Sequence, residues 1–140
     1  MTGLSKIGVA LLFAGLAGCA SSGGGGIAST VAGTAPPEAK AVVADLAAAR
    51  WQLLIAGNVE KAYEYLSPGF RAIMPPNVYK ARTKPGMWKN AKVDAVECEQ
   101  DRCVVTVAIT YSYGKLQAIE TPLQEVWLRE EGKWWFSPEK

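Results

Sequence analysis

Apolar positions recur at two different periods along the chain, and the change from one to the other divides it. Val42, Val43, Leu46, Ala47, Leu53 and Leu54 fall at three- and four-residue steps, the spacing that gathers side chains on one face of a helix. Pro36-Pro37-Glu38 precedes them, with proline for the first turn and an acid near the positive end of the helix dipole. Gly57 supplies a stop. Asn58 is a candidate N-cap for a second helix, whose Val59, Ala62, Tyr63 and Leu66 occupy i, i+3, i+4 and i+7. Ser67-Pro68 breaks or restarts that pattern. Residues 70–74 form a further helical turn before Pro75-Pro76, and a short third helix is predicted over 78–83, ahead of Lys84-Pro85-Gly86.

From Lys92 onward the period falls to two. Cys103, Val105, Val107, Ile109, Tyr111 and Tyr113 alternate with Val104, Thr106, Ala108, Thr110 and Ser112, the signature of a strand with one buried face. A strand over 92–97 precedes it and another over 116–129 follows, where Pro122 implies an edge or a bulge. Glu131-Gly132 marks a turn into a fourth strand over 133–137. Helices first and an antiparallel meander afterwards predict an α+β domain, its N-terminal helices packed in the concave face of a curved antiparallel sheet of about four strands.

Ahead of this domain the composition changes twice. Residues 1–18 carry one positive charge, Lys6, and then an apolar or small run from Ile7 to Ala17. That run is shorter than the roughly 20 residues of a membrane-spanning helix and suits a secretory signal. It closes on Leu16-Ala17-Gly18-Cys19, which resembles the bacterial lipobox, where the peptide is cut before a diacylated cysteine whose new amine is then acylated. The resemblance implies anchoring through Cys19 by several acyl chains, enough for stable membrane attachment. Ala20, in place of the aspartate associated with inner-membrane retention, implies the outer membrane, facing the periplasm. Residues 19–35 then read as the lipidated cysteine and a flexible tether of small residues. Their glycine run lacks the Gly-Lys-Ser/Thr and the preceding strand of a phosphate loop. The folded domain is accordingly placed at 36–140.

Export changes the reading of the two remaining cysteines. Cys98 and Cys103 flank a short polar loop in an oxidising compartment, where disulfides persist. Directly opposed strand residues lie close enough to be bridged, so a structural disulfide is expected. Four residues between two cysteines, with no further thiol nearby, do not make a zinc site. The chain has 15 Lys and Arg against 13 Asp and Glu, a net charge of +2, which gives no basic footprint for nucleic acid. It contains no histidine, so the commonest general base and metal ligand are missing, together with any nucleophile–histidine pair. No metal or cofactor is expected.

The progression Trp51-Gln-Leu-Leu-Ile-Ala-Gly-Asn-Val-Glu-Lys-Ala-Tyr-Glu-Tyr-Leu-Ser-Pro68, then Phe70-Arg71, then strands ending Glu125-Val-Trp-Leu-Arg-Glu-Glu-Gly-Lys-Trp-Trp-Phe136, resembles the nuclear-transport-factor-2-like (SnoaL-like) superfamily. The resemblance covers about residues 38–138. It implies a cone with helices inside a strongly curved sheet, and substrate at the open end in those members that are enzymes. It does not name an activity, because isomerases, dehydratases and non-catalytic modules share the fold.

With Cys98 opposite Cys103, an unbroken hairpin puts Val96 opposite Val105, Asp94 opposite Val107 and Lys92 opposite Ile109. Asp94 then shares a face with an apolar row, where a carboxylate has a raised pKa and can serve as a proton-transfer base, as in ketosteroid-isomerase-like relatives. Tyr63, Tyr111 or Tyr113 would supply a hydrogen bond to an oxyanion. A bulge, or a neighbouring Lys or Arg, would instead give Asp94 to solvent. Arg50 and Arg71 are further inward candidates: Arg50 lies within the apolar stripe of the first helix, where snorkelling along the helix edge is favoured over pairing with a carboxylate on the sheet or binding an anion. Trp127, Trp134, Trp135 and Phe136 crowd one hairpin, and consecutive tryptophans on a strand point to opposite faces. Part of that cluster is therefore expected at the surface as an interaction patch, unless the segment around Met87-Trp88 covers it. Two functions follow. The first is a non-catalytic, membrane-anchored module that binds an envelope partner or small apolar ligand, or dimerises through the sheet. The alternative is an isomerase or dehydratase using Asp94 as base.

Overall fold

The first helix stops where the backbone can turn left-handed. Gly57 has φ +77°, a conformation that a side chain disfavours. There the Gly57 N–H donates to the Leu54 carbonyl (3.1 Å) and the Asn58 N–H to the Leu53 carbonyl (2.8 Å), the paired bonds of a Schellman cap. Asn58 then opens the second helix, its Oδ1 accepting from the Lys61 N–H. Ser67 caps the third through the Phe70 N–H. These signals set α1 (Ala39–Ile55), α2 (Val59–Tyr63), α3 (Pro68–Ile73) and α4 (Pro76–Thr83), which precede β1 (Trp88–Glu99), β2 (Arg102–Tyr113), β3 (Leu116–Glu130) and β4 (Lys133–Phe136). This computed structural model describes residues 35–139; the expected signal segment, Cys19 and all of the expected tether but Ala35 lie outside them. No helix among the described residues is long and apolar enough to cross a membrane.

The four strands form one antiparallel sheet in chain order, and the architecture is α+β as the order of periods predicts. α1 packs across β1 and β2 through Ala39, Val43, Ala47, Trp51 and Leu54, against Cys103, Val105, Val107 and Ile109 of β2 and Trp127 of β3. Every second residue of β2 is buried from Cys103 to Ile109 while those between are half-buried, so one face meets the helices. Each fully buried Val or Leu in this layer is worth about 1.5–3 kcal/mol. Val42 lies off the buried stripe of α1 and is 40% exposed.

Both sheet edges are managed. The outer edge of β4 is closed by residues 65–67: the Phe136 N–H donates to the Tyr65 carbonyl and the Ser67 N–H to the Phe136 carbonyl. β1 carries register shifts between Trp88 and Asn90 and between Val93 and Ala95, and bears Lys89, Lys92, Asp94 and Glu97. Bulges and charge are devices that keep an edge from pairing with another chain. Pro122 pairs with Ala108 in the part of β3 that β4 does not reach, so its missing N–H faces an unpaired edge. Strand pairing extends to Glu99 and Arg102, leaving a loop of two residues between β1 and β2 rather than four. The Glu131-Gly132 turn has positive φ at both residues, as a type I′ hairpin requires.

Candidate functional site

Among the Lys and Arg side chains of the described residues, Arg50 is the buried one. It is 5% exposed, and its partner Glu125 is 2% exposed. Arg50 does not snorkel, contrary to the reading favoured from its helix position. It lies between Ala47 and Leu54 on the sheet-facing stripe of α1, and Glu125 shares the helix-facing side of β3 with Trp127 two residues on. Arg50 Nη1 donates to Glu125 Oε1 at 2.7 Å and Nη2 to the Tyr79 hydroxyl at 3.1 Å. Trp127 Nε1 donates to Glu125 Oε2 at 3.2 Å. The guanidinium plane lies over Phe136, 3.8 Å from the ring centroid. Taking two charges out of water costs several kcal/mol per ion; here both carboxylate oxygens accept bonds and the cation has an aromatic face beneath it. Arg50 Nε and Trp51 Nε1 are buried without a partner among the described residues. Each carboxylate oxygen is engaged by a donor of the chain itself, so Glu125 acts as a clamp between Arg50 and Trp127.

Glu125 and Tyr79 were not singled out from sequence. The signal existed for Glu125: an arginine inside an apolar stripe demands a carboxylate, and the two-residue period puts Glu125 on the face of Trp127. Nothing in the sequence pairs Tyr79 with Arg50, because α4 is short and its position depends on the turns before it.

Asp94 occupies the bulge between Val93 and Ala95. Cys98 pairs with Cys103 and Val96 with Val105 as expected, but beyond the bulge Val93 faces Val107, Lys92 faces Ala108 and Ala91 faces Ile109. The extra residue takes Asp94 out of the apolar row. Its side chain is 41% exposed and pairs with Lys92 Nζ at 3.2 Å. The Tyr63 hydroxyl donates to the Met74 carbonyl at 2.7 Å, tying α2 to the end of α3, while Tyr111 packs its ring against Trp88 and Tyr113 is 65% exposed. Among the described residues no hydrogen bond joins Asp94 to any of these tyrosines, so the structure does not assemble the expected base and oxyanion donor.

Cys98 and Cys103 form a disulfide with Cα atoms 4.0 Å apart, suited to the closer, non-hydrogen-bonded pairs of an antiparallel ladder. The aromatic hairpin divides by depth, with Trp134 on the face of Phe136 and Trp135 on the opposite one. Trp127 and Phe136 pair across β3 and β4 and are buried, which removes both from the expected surface patch; Trp134 and Trp135 are half-buried. Trp88 does not cover them: it meets Trp51 edge-on at 5.4 Å and Tyr111 at 6.0 Å. Trp135 instead carries the Arg71 guanidinium, 5.4 Å from its ring centroid.

Two concavities adjoin this framework. A groove of about 510 Å³ runs between α1 and β4, lined by Val42, Leu46, Tyr65, Trp134 and Trp135. A cleft of about 570 Å³ opens beside α3 and α4, with Phe70, Met74, Tyr79 and Phe136 on its walls and Arg82 and Glu139 among its polar residues. Tyr79 and Phe136 therefore each turn one side to Arg50 and contribute another to the cleft. Among the described residues no group of three or more His, Cys, Asp or Glu side chains is arranged to hold a metal ion.

No protein-family model matches the chain, and no curated protein does. Solved structures do. A SEC-C motif-containing protein of Rhodopseudomonas palustris is similar at 16% identity with a TM-score of 0.55, over 66% of this chain and 73% of that one. A proposed NTF2-like transpeptidase of Campylobacter jejuni is similar at 13% identity with a TM-score of 0.50, over 68% of this chain and 96% of that one. At these identities the likeness is one of fold, and the second gives the arrangement of helices and sheet an NTF2-like counterpart.

Proposed function

We propose that the chain is an outer-membrane lipoprotein facing the periplasm, anchored through acyl groups on Cys19. In this reading its domain is a non-catalytic binding or interaction module of the cell envelope. The observation that carries the reading is the occupancy of the helix-facing side of the sheet. Val105, Val107, Trp127 and Phe136 fill it, and its charged pair, Arg50 and Glu125, is closed on itself. Proton abstraction needs a base held in a dry pocket with an oxyanion donor fixed nearby. The carboxylate considered for that task, Asp94, stands at a bulge against Lys92 and reaches water. Binding needs only concave apolar surface, and the groove beside Trp134 and Trp135 offers it.

The test is complementation of a deletion strain at matched protein levels. Asp94→Asn is expected to restore the phenotype fully, whereas Trp134→Ala and Trp135→Glu are expected to impair it in protein that remains folded. Cys19→Ser should lose processing and membrane retention. Loss of function from Asp94→Asn alone, with normal folding, would return the proton-transfer reading with Asp94 as base.

A further inference from the structure

Charge is distributed unevenly along this nearly neutral chain. Between Glu64 and Asp94 lie six of the fifteen Lys and Arg residues and none of the thirteen Asp and Glu. That segment builds α3, α4 and the start of β1, and with them most of the cleft beside Tyr79. Several of its cations are already engaged. Lys80 pairs with Glu60 at 2.7 Å, a bond that holds the Glu60 carboxyl below its ordinary range; Lys92 pairs with Asp94, and Arg71 stacks on Trp135. Arg82, which lines the cleft, makes no ion pair among the described residues. The carboxylate on the same cleft, Glu139, is held by Arg102 at 3.3 Å.

The rest of the cleft is apolar: Phe70, Ile73, Met74, Tyr79, Phe136 and Pro138. Ile73 is 66% exposed, a large aliphatic group left in water on the wall of a concavity. The hydroxyls nearby are engaged, the Thr83 hydroxyl donating to the Tyr79 carbonyl and the Tyr79 hydroxyl accepting from Arg50. Such walls give little to recognise a sugar or a base, whose many polar groups would be left unpaired. They suit a ligand whose body is apolar and whose polarity is concentrated at one end. A volume of about 570 Å³ is of the size that takes a small molecule. A guanidinium at its mouth selects an anion, and a carboxylate best of all because its two oxygens match the fork of Arg.

We infer that this cleft binds a single-chain anionic amphiphile, a long-chain carboxylate, with the chain against Phe70, Ile73, Met74 and Phe136 and the carboxylate on Arg82. The inference rests on the reading of the domain as a binding module and names the ligand chemistry of one of its concavities.

The probe is dodecanoate below its micellar concentration, titrated calorimetrically into the full chain carrying Cys19→Ser, so that no acyl group of the protein's own competes. Dodecanol and dodecyltrimethylammonium serve as neutral and cationic controls of the same chain length. Dodecanoate is expected to bind about tenfold more tightly than either, the size of one charge-assisted contact. Arg82→Ala should remove that tenfold advantage and leave dodecanol unchanged. Arg82→Glu should invert the preference toward the cationic probe, and Ile73→Asp should weaken dodecanoate and dodecanol alike. Equal affinity for the three probes, no detectable binding of dodecanoate, or an unchanged dodecanoate affinity in Arg82→Ala would each overturn the assignment. If dodecanoate fails while Asp94→Asn still complements and Trp134→Ala does not, the binding-module reading stands and the ligand assignment alone falls.

Discussion

Glu125→Gln is the substitution that most directly tests the account of the core. The replacement keeps shape and one acceptor oxygen but removes the charge that Arg50 was buried against. Arg50 at 5% exposure cannot reach water without disturbing α1, and its Nε already lacks a partner. Breaking a buried ion pair by neutralising one member typically costs about 3–5 kcal/mol, a large share of the roughly 5–15 kcal/mol that holds a domain folded. For a domain of this size each kcal/mol moves the melting temperature by about 4–8 °C, so a fall of at least about 12 °C is expected. Urea unfolding followed by tryptophan fluorescence gives the free energy, and circular dichroism gives the melt. Arg50→Met combined with Glu125→Leu removes both charges at similar volume and should recover most of the loss; with Arg50→Met and Glu125→Leu measured singly, the double-mutant cycle should give a coupling of about 3 kcal/mol. A Glu125→Gln protein within about 1 kcal/mol of the parent, or a double variant no better than the single, would refute the clamp.

Two further outcomes follow from local geometry. Replacing Cys98 and Cys103 together by serine should lower stability by about 2 kcal/mol, the loop-closure value for so short a ring, and leave the fold intact because Val105, Val107 and Ile109 still anchor β2; calorimetric melts with and without reductant check it, and collapse of the whole domain on reduction would contradict it. Gly57→Ala, at φ +77°, should cost about 1 kcal/mol or more by straining the cap between α1 and α2, read from the urea midpoint, and an unchanged midpoint would count against the cap's role.

Local signals were legible where they acted alone. The cap at Asn58, the stop at Gly57, the turn at Glu131-Gly132 and the alternating strand from Cys103 depend on a few neighbouring residues, and they appear where the pattern puts them. The disulfide register was readable for the same reason. Failure began one bulge further on. An extra residue at Asp94 leaves no mark in the hydrophobic pattern, yet it turns the side chains from Val93 back to Asn90 to the opposite face, until a second shift before Trp88, and the expected proton-transfer site was lost with it. Arg50 was misjudged for a different reason: snorkelling is decided by what lies across the helix, and Glu125 is 75 residues away in sequence. Long-range polar partners are the part of a core that periodicity cannot supply.

The buried pair and the cleft are joined through two rings. A Met and a Leu would fill the volume of Arg50 and Glu125 without the cost of dehydrating ions, so stability alone does not explain a charged pair in this place. Direction does. The guanidinium holds the Tyr79 hydroxyl at 3.1 Å and lies 3.8 Å from the Phe136 centroid, and Glu125 fixes the guanidinium in turn. Both rings are thereby set before anything enters the cleft they help to line. A wall set in advance spares a ligand the ordering cost of arranging it, about 0.5–1.5 kcal/mol for each side chain that would otherwise be immobilised on binding. The charges accordingly act one layer behind the surface where a ligand would sit, and Arg82, exposed at the mouth, is left to meet the ligand itself.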